Sequence, residues 1–278
     1  MTPPLVISVQ SQVAMGHVGN SAAVFALLAA GLEVVAVPTV IFSNTPDYPT
    51  LRGRPLPEDF FADLLRGLWE RGLPERADFL LSGYIGSVEV AHLLADFVAR
   101  AKAANPRLRY YCDPVMGDQQ PGLYVPQEIA GIFRDRLLPM ADIASPNPFE
   151  VAWLTGEPVA ALADLPRVAR ALHLAPGARL IVTGCALRET PADMLESIIL
   201  GPEGLSRHPT PRLPCALAGT GDLFAGLTTA AMACGRTLPQ AVEFAQAQTA
   251  RALARGAALG KLEVSLSDPT FRAALLTL

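Results

Sequence analysis

Four acids stand just beyond short apolar runs in this chain: Asp113, Asp118, Glu150 and Asp222. Asp222 closes the stretch Gly219, Thr220, Gly221, Asp222 and opens a run in which Leu223, Leu227, Ala230, Ala231 and Cys234 recur at helical spacing. Glycines before it let the backbone turn sharply and present its N–H groups. A helix start adds unpaired N–H donors and the positive end of the helix dipole. The stretch therefore suits a phosphate or another developing anion. An acid in that place has two readings. It caps the helix, or it takes up the proton when a hydroxyl attacks a phosphoryl group.

The remaining acids extend the second reading. Mg²⁺ takes oxygen ligands and is commonly held by one or two carboxylates together with substrate phosphates. Asp113 and Glu150 can serve in this way, directly or through water. Singly, each has an ordinary explanation: Asp113 as a turn acid before Pro114, Glu150 as a first-turn helix acid, Asp118 as a loop acid. Together they point to phosphoryl transfer from a metal–nucleotide. Other nucleotide and hydrolase signatures are missing. Gly256 to Lys261 (GAALGK) is one residue short of a P-loop and lacks its hydroxyl residue, no GxGxxG follows a strand, and neither HExxH nor GxSxG occurs.

These residues need elements to position them. Apolar runs predict strands at Leu5–Val9, Glu33–Phe42, Phe79–Leu81, Leu108–Cys112, Asp142–Ala144 and Arg179–Val182. Helical spacing predicts helices at Ala22–Ala30 (capped by Asn20 or Ser21 and ended by Gly31), Glu58–Arg71, around Val90 to Val98, Ile129–Leu137 and Leu165–Leu174. Met194–Leu200 and Gly204–His208 read as a hairpin through Gly201-Pro202. Leu238–Leu259 reads as a buried helix, and the Pro-rich 202–214 segment as a surface loop beside the site. The alternation predicts one α/β domain over residues 1–278, a mostly parallel central sheet with helices on both faces in three layers. Ligands in such folds bind beyond the carboxyl ends of the strands. Ser11, Asn44, Thr45, Ser82 to Tyr84, Asp113 to Asp118, Asn147, Glu150 and Thr183 all fall there.

Composition narrows the class. Hydrophobic residues make up 51% of 278 and charged ones 17%, enough for a large core and too few for a disordered tail. A net charge of −4 with no Lys/Arg run argues against nucleic acid or an anionic membrane as partner. The 4 cysteines form no CxxC pair, which disfavours zinc or a disulfide scaffold and suits a reducing cytoplasm. The N-terminal MTPPLVISVQ lacks the basic region of a signal peptide. Ala22 to Phe42 is apolar but broken by Gly31, Glu33 and Pro38, so it reads as helix, turn and strand rather than a membrane span.

Six segments carry a resemblance: VQSQVAMGHVGNSAA at Val9–Ala23, FSN at Phe42–Asn44, SGYIGS at Ser82–Ser87, DPVMGD at Asp113–Asp118, PNPFE at Pro146–Glu150 and GTGDLFAG at Gly219–Gly226. In this order, nearly end to end, the chain resembles the pyridoxal kinases of the ribokinase-like superfamily. GTGD alone indicates only the superfamily; the other segments narrow it. The resemblance implies that Asp222 is the base for the 5′-hydroxymethyl group of pyridoxal, and that the N–H groups of Gly219, Thr220 and Gly221 stabilise the moving phosphoryl group. It implies that Ser11 bonds the ring's polar edge, Tyr84 packs near the ring, and Thr45 lies on the substrate side. Asp113 and Glu150 would organise Mg²⁺ and the ATP phosphates, with Asp118 near the phosphates and Thr183 and Gly184 flanking ATP. A monovalent-cation requirement is left open. A cytoplasmic homodimer is also implied. His17, between two glycines, reads as a local structural donor.

Two departures stand out. FSNTPDY at Phe42–Tyr48 puts Thr45 and Pro46 where bacterial members carry His and Thr, and Thr183, Gly184 and Cys185 replace a segment that carries lysine in some of them. Two rivals remain at this point. One is a hydroxymethylpyrimidine kinase of thiamine synthesis, whose acceptor is also a flat ring bearing CH₂OH. The other is a vitamer-binding protein without catalysis, disfavoured because a pure binder needs no base beside an anion site.

Overall fold

The computed structural model describes residues 2–278. Its strands are β1 (Leu5–Val13), β2 (Glu33–Phe42), β3 (Gly53–Pro55), β4 (Phe79–Ser82), β5 (Arg109–Cys112), β6 (Gly117–Asp118), β7 (Gly122–Leu123), β8 (Ile143–Ala144), β9 (Arg179–Cys185), β10 (Met194–Gly201) and β11 (Gly204–Pro211). Nine form one sheet in the order β11-β10-β9-β8-β5-β4-β1-β2-β3, and β6 pairs with β7 in a separate hairpin. The six strands from β9 across to β2 run parallel; β3, β10 and β11 pair antiparallel at the two edges.

Helices cover both faces, which is why the central strands read as unbroken apolar runs. Successive side chains point to opposite faces. Leu5, Ile7 and Val9 of β1 enter one core layer and Val6 the other. Tyr110 and Cys112 of β5 face the first layer and Tyr111 the second; all three are buried, as expected of core residues. The first layer is closed by α2 (Glu58–Glu70), α3 (Leu73–Arg76), α4 (Val88–Ala104), α5 (Gln127–Ile132), α6 (Pro148–Thr155) and α7 (Leu165–Ala171). The second is closed by α1 (Asn20–Ala29), α8 (Thr220–Ala233), α9 (Leu238–Ala258) and α10 (Pro269–Leu275).

Several local expectations change. Neither Asn20 nor Ser21 caps α1, whose N-cap is Gly19. The Asn20 amide turns inward, donating to the carbonyls of Gln10 and Val37 and accepting from Ser8 Oγ, because three buried groups between β1 and β2 need partners there. The expected hairpin of residues 194–200 and 204–208 forms, but its second strand runs on to Pro211, so this part of the Pro-rich segment is an edge strand rather than a loop, where Pro209 and Pro211 can be tolerated. Helix α9 is not wholly buried: Leu238, Ala241, Val242, Ala245, Gln248, Ala252 and Gly256 form an inner face, and much of the rest is exposed. The 129–137 helix changes to a π turn at Phe133.

Helix α8 crosses α1 closely, because Gly226 has no side chain. A Cβ there would stand 2.7 Å from Ala23 Cα and 2.9 Å from Ala23 Cβ. Gly226→Ala should therefore destabilise the protein by about 1–3 kcal/mol, overpacking exceeding the roughly 1 kcal/mol helix preference of alanine. Urea unfolding should show the midpoint falling with the slope unchanged.

Candidate active site

The carboxyl ends of the parallel strands meet along one edge of the sheet. In spatial order this edge carries Thr45 beyond β2, Ser11 on β1, Tyr84 beyond β4, Asp113 beyond β5, Asn147 and Glu150 beyond β8, and Thr183 and Gly184 on β9. The chain leaves β1 for β2 on one side and returns to β4 on the other, so the crevice between β1 and β4 is the sheet's switch point, the usual place for a ligand.

Helix α8 points its N-terminus at this edge. Gly219 is its N-cap, with φ of 83°, and a Cβ there would overlap the His17 carbonyl oxygen. Only glycine meets both demands. Asp222 lies in the first turn and is buried, but no side chain caps this helix. Its Oδ1 has no hydrogen-bond partner. Burial raises its pKa above the ordinary carboxylate range, and the Gly19 N–H opposes that shift. The capping explanation of Asp222 therefore fails, because an idle carboxylate oxygen remains beside free helix N–H groups.

Asp113 faces the same place. Its Oδ1 accepts from Ser145 Oγ at 2.8 Å, while its buried Oδ2 has no partner. A Cβ on Gly221 would stand 3.8 Å from that Oδ2, so the anion loop and the Asp113 carboxylate are neighbours. Burial, then the charge of Asp222, pushes the Asp113 pKa up to about 7, against the Ser145 hydrogen bond. Two orphaned carboxylate oxygens at an anion site fit a divalent cation. Among the described residues no group of three or more His, Cys, Asp or Glu side chains could cage one. The donor set suits Mg²⁺ completed by phosphate and water, not a closed protein site.

Glu150 is placed differently from Asp113. Its Oε1 accepts from Met116 N–H at 3.0 Å and its Oε2 from Asn147 N–H at 2.8 Å, and Asn147 Oδ1 accepts from Glu150 N–H at 2.9 Å. This capping box opens α6 and pins the 113–118 loop to it. Burial, then Asp113, holds the Glu150 carboxyl well above the usual range, against the backbone N–H groups of Met116, Asn147 and Gly117. Asp118 is exposed on the β6–β7 hairpin and accepts from Gln119 N–H at 2.6 Å, outside the buried pair.

On the opposite side, Thr45 is buried and its hydroxyl donates to Asp47 at 3.1 Å. Ser11 is buried against Gly19. Tyr84 is half-buried, and its ring lies 6.3 Å from that of Tyr124, tilted by 34°. Tyr124 was not legible as a site residue. It is 43% exposed, and partial desolvation together with the charges of Glu150, Asp222, Asp113 and Asp118 raises its phenol pKa, so it stands within the field of all four acids. The hairpin that delivers it is only two residues per strand, too short to show a period. Thr183 N–H donates to Pro146 O at 3.1 Å and Gly184, with φ of 64°, is exposed. His17 Nδ1 meets Val264 O at 3.1 Å, a structural contact that is not local but spans 247 residues of chain. No helix among the described residues is long and apolar enough to cross a membrane.

A glycine-turned helix start beside two buried carboxylates with unpartnered oxygens, set at the switch point of a doubly wound sheet, is the build of a ribokinase-like phosphotransferase. The sequence matches the phosphomethylpyrimidine kinase family over residues 21–267. It is 38% identical over 263 residues to the pyridoxal kinase PdxY of Granulibacter bethesdensis, covering 93% of this chain and 92% of that one. It is 41% identical over 252 residues to the pyridoxine/pyridoxal/pyridoxamine kinase of Bordetella avium, covering 90% and 84%. Its fold is similar to that of pyridoxal kinase from Leishmania donovani in complex with ADP and pyridoxamine, with a TM-score of 0.86 and 29% identity over 98% of this chain and 95% of that one. The chain belongs to the pyridoxal kinases within this family.

The raised Asp113 pKa makes a metal test possible. Asp113 holds its proton more tightly folded than unfolded, so stability falls as pH rises from about 4 towards 7. A cation needs the ionised carboxylate. The rise in Tm on adding MgCl₂ should therefore grow from about pH 6 to about pH 8, and Asp113→Asn should lose most of it. Thermal melts across that range with and without Mg²⁺ check both points.

Proposed function

We propose that this protein transfers the γ-phosphoryl group of ATP to the 5′-hydroxymethyl oxygen of pyridoxal, with pyridoxamine and pyridoxine as further acceptors, giving pyridoxal 5′-phosphate for vitamin B6 salvage. The observation that carries this reading is the buried, unpartnered Oδ1 of Asp222 at the N-terminus of α8. The likeness to kinases named for these vitamers supports the acceptor.

The residues take these roles. Asp222 orients the acceptor hydroxyl and receives its proton as the loose transition state develops, so a strongly raised pKa is not required of it. The N–H groups of Gly219, Thr220 and Gly221 stabilise the charge on the moving phosphoryl group. Ser11 and Thr45 lie on the acceptor side, and Tyr84 offers a ring face to a flat heterocycle. Thr183 and Gly184 flank the nucleotide on the other side, with Asp118 on the hairpin near its phosphates. Asp113 would hold Mg²⁺; Glu150, its oxygens already engaged, would support that site through the loop it pins. Mg²⁺ when bound neutralises phosphate charge. The same kinship supports a homodimer working in the cytoplasm.

The family description also names a phosphomethylpyrimidine kinase, so the pyrimidine acceptor belongs in the test. Pyridoxal, pyridoxamine, pyridoxine and hydroxymethylpyrimidine are each offered with ATP and Mg²⁺ to the wild type and to Asp222→Ala. Pyridoxal should be phosphorylated, and the variant should lose about 10²- to 10⁴-fold, chiefly in kcat. Turnover of hydroxymethylpyrimidine alone would keep the mechanism and change the substrate. Bound pyridoxal with no turnover in the wild type would favour a vitamer-binding protein.

A further inference from the structure

Residues 262–264 form a strap beside the anion loop. Ala218 N–H donates to Leu262 O at 2.9 Å, and Val264 N–H donates to Ala218 O at 3.0 Å. His17 Nδ1 meets Val264 O at 3.1 Å. Glu263 lies between, only 2% exposed, with its carboxyl against Gly16. The strap therefore touches both loops that frame Asp222.

It also reaches a third. Tyr48 OH donates to Glu263 Oε2 at 2.9 Å. Tyr48 sits in the loop after β2 that carries Thr45. Among the described residues, the other hydrogen bonds of residues 44–50 close locally: Asn44 Nδ2 donates to Thr45 O and Thr50 O, Ser43 Oγ to Asn44 Oδ1, Thr45 Oγ1 to Asp47, and Tyr48 N–H to Thr45 O. The loop is a stapled unit, and among the described residues the hydrogen bond by which its residues 44–50 reach the rest of the molecule is that of the Tyr48 phenol. A buried carboxylate makes that single bond a strong one.

We propose that Tyr48 and Glu263 are positioning residues for the acceptor: their hydrogen bond latches the Thr45 loop to the strap that also holds the anion loop. The acceptor side and the phosphoryl site are thereby kept in fixed relation by a bond between residues 215 apart in sequence. The inference rests on the reading of this loop as the acceptor side. Nothing in the chemistry of transfer requires Glu263 itself; it touches no group assigned to the reaction.

Tyr48→Phe removes the hydroxyl and keeps the ring, and Glu263→Gln keeps an acceptor. In Tyr48→Phe the KM for pyridoxal should rise about tenfold, with the KM for ATP within about twofold of wild type and Tm little changed. Glu263→Gln should stay within about threefold of wild type in all of these. Hydrogen exchange of the 43–52 segment without substrate should quicken in Tyr48→Phe and not in Glu263→Gln. Unchanged pyridoxal KM and unchanged exchange in Tyr48→Phe would overturn the latch. An equal rise in both KM values with a lowered Tm would show a merely structural bond and overturn it too. If the wild type phosphorylates no B6 vitamer, the functional reading fails, while the exchange comparison still decides the latch.

Discussion

Two carboxylates buried side by side, each with an oxygen that meets no donor, are an unstable arrangement in a protein alone. Burial raises the pKa of both Asp113 and Asp222, and the charge of Asp222 further raises that of Asp113. The cost is sustained by the surrounding core and is relieved by a proton on Asp113 or by positive charge arriving with a ligand. The rest of the molecule can be understood as the frame that holds these oxygens facing inward. Ser145 occupies one oxygen of Asp113 and leaves the other free. Gly219 turns the chain so that Asp222 stands in the first turn of α8 rather than capping it.

The sheet order separates the two halves of the proposed reaction. Thr45, Ser11 and Tyr84 stand on the strands to one side of β5, and Glu150, Thr183 and Gly184 on those to the other. Adjacent strands lie about 4.8 Å apart, so the two groups of residues sit two to five strand spacings apart, roughly 10–25 Å, room for a small ring and a nucleotide end to end. The anion loop comes down over the middle. Strand order, not any single residue, sets which substrate lies where.

Sites built at strand ends need their loops tied to one another. Glu150 does this for the donor side, joining the 113–118 loop to α6 through backbone N–H groups. Glu263 does the same for the Thr45 loop, and the buried Asn20 amide ties the β1–α1 turn to the strands beneath it. Three polar side chains thus hold loops in place by satisfying or accepting from groups that would otherwise be buried without partners.

Much of this was legible in one dimension. Apolar runs of three to ten residues, glycine stops and the polar residues just after the runs marked the sheet, the layers and Ser11, Asp113 and Thr183 as rim residues, and the Gly219–Asp222 stretch marked Asp222, because backbone periodicity and burial on two faces are local properties of a strand. The edge position of the 204–211 segment, the half-exposed α9 and the inward turn of Asn20 were not, since each depends on what lies across a contact rather than along the chain. The same holds for the site. Sequence by itself determined which residue types were present and that acids gather at strand ends. Only the tertiary structure decided that Asp113 and Asp222 share one buried place, that Glu150 spends its oxygens on backbone N–H groups, that Tyr124 stands by the four acids, and that Glu263 meets Tyr48. Desolvation, charge coupling and hydrogen-bond competition act through space between residues far apart in the chain, and no local spacing encodes them.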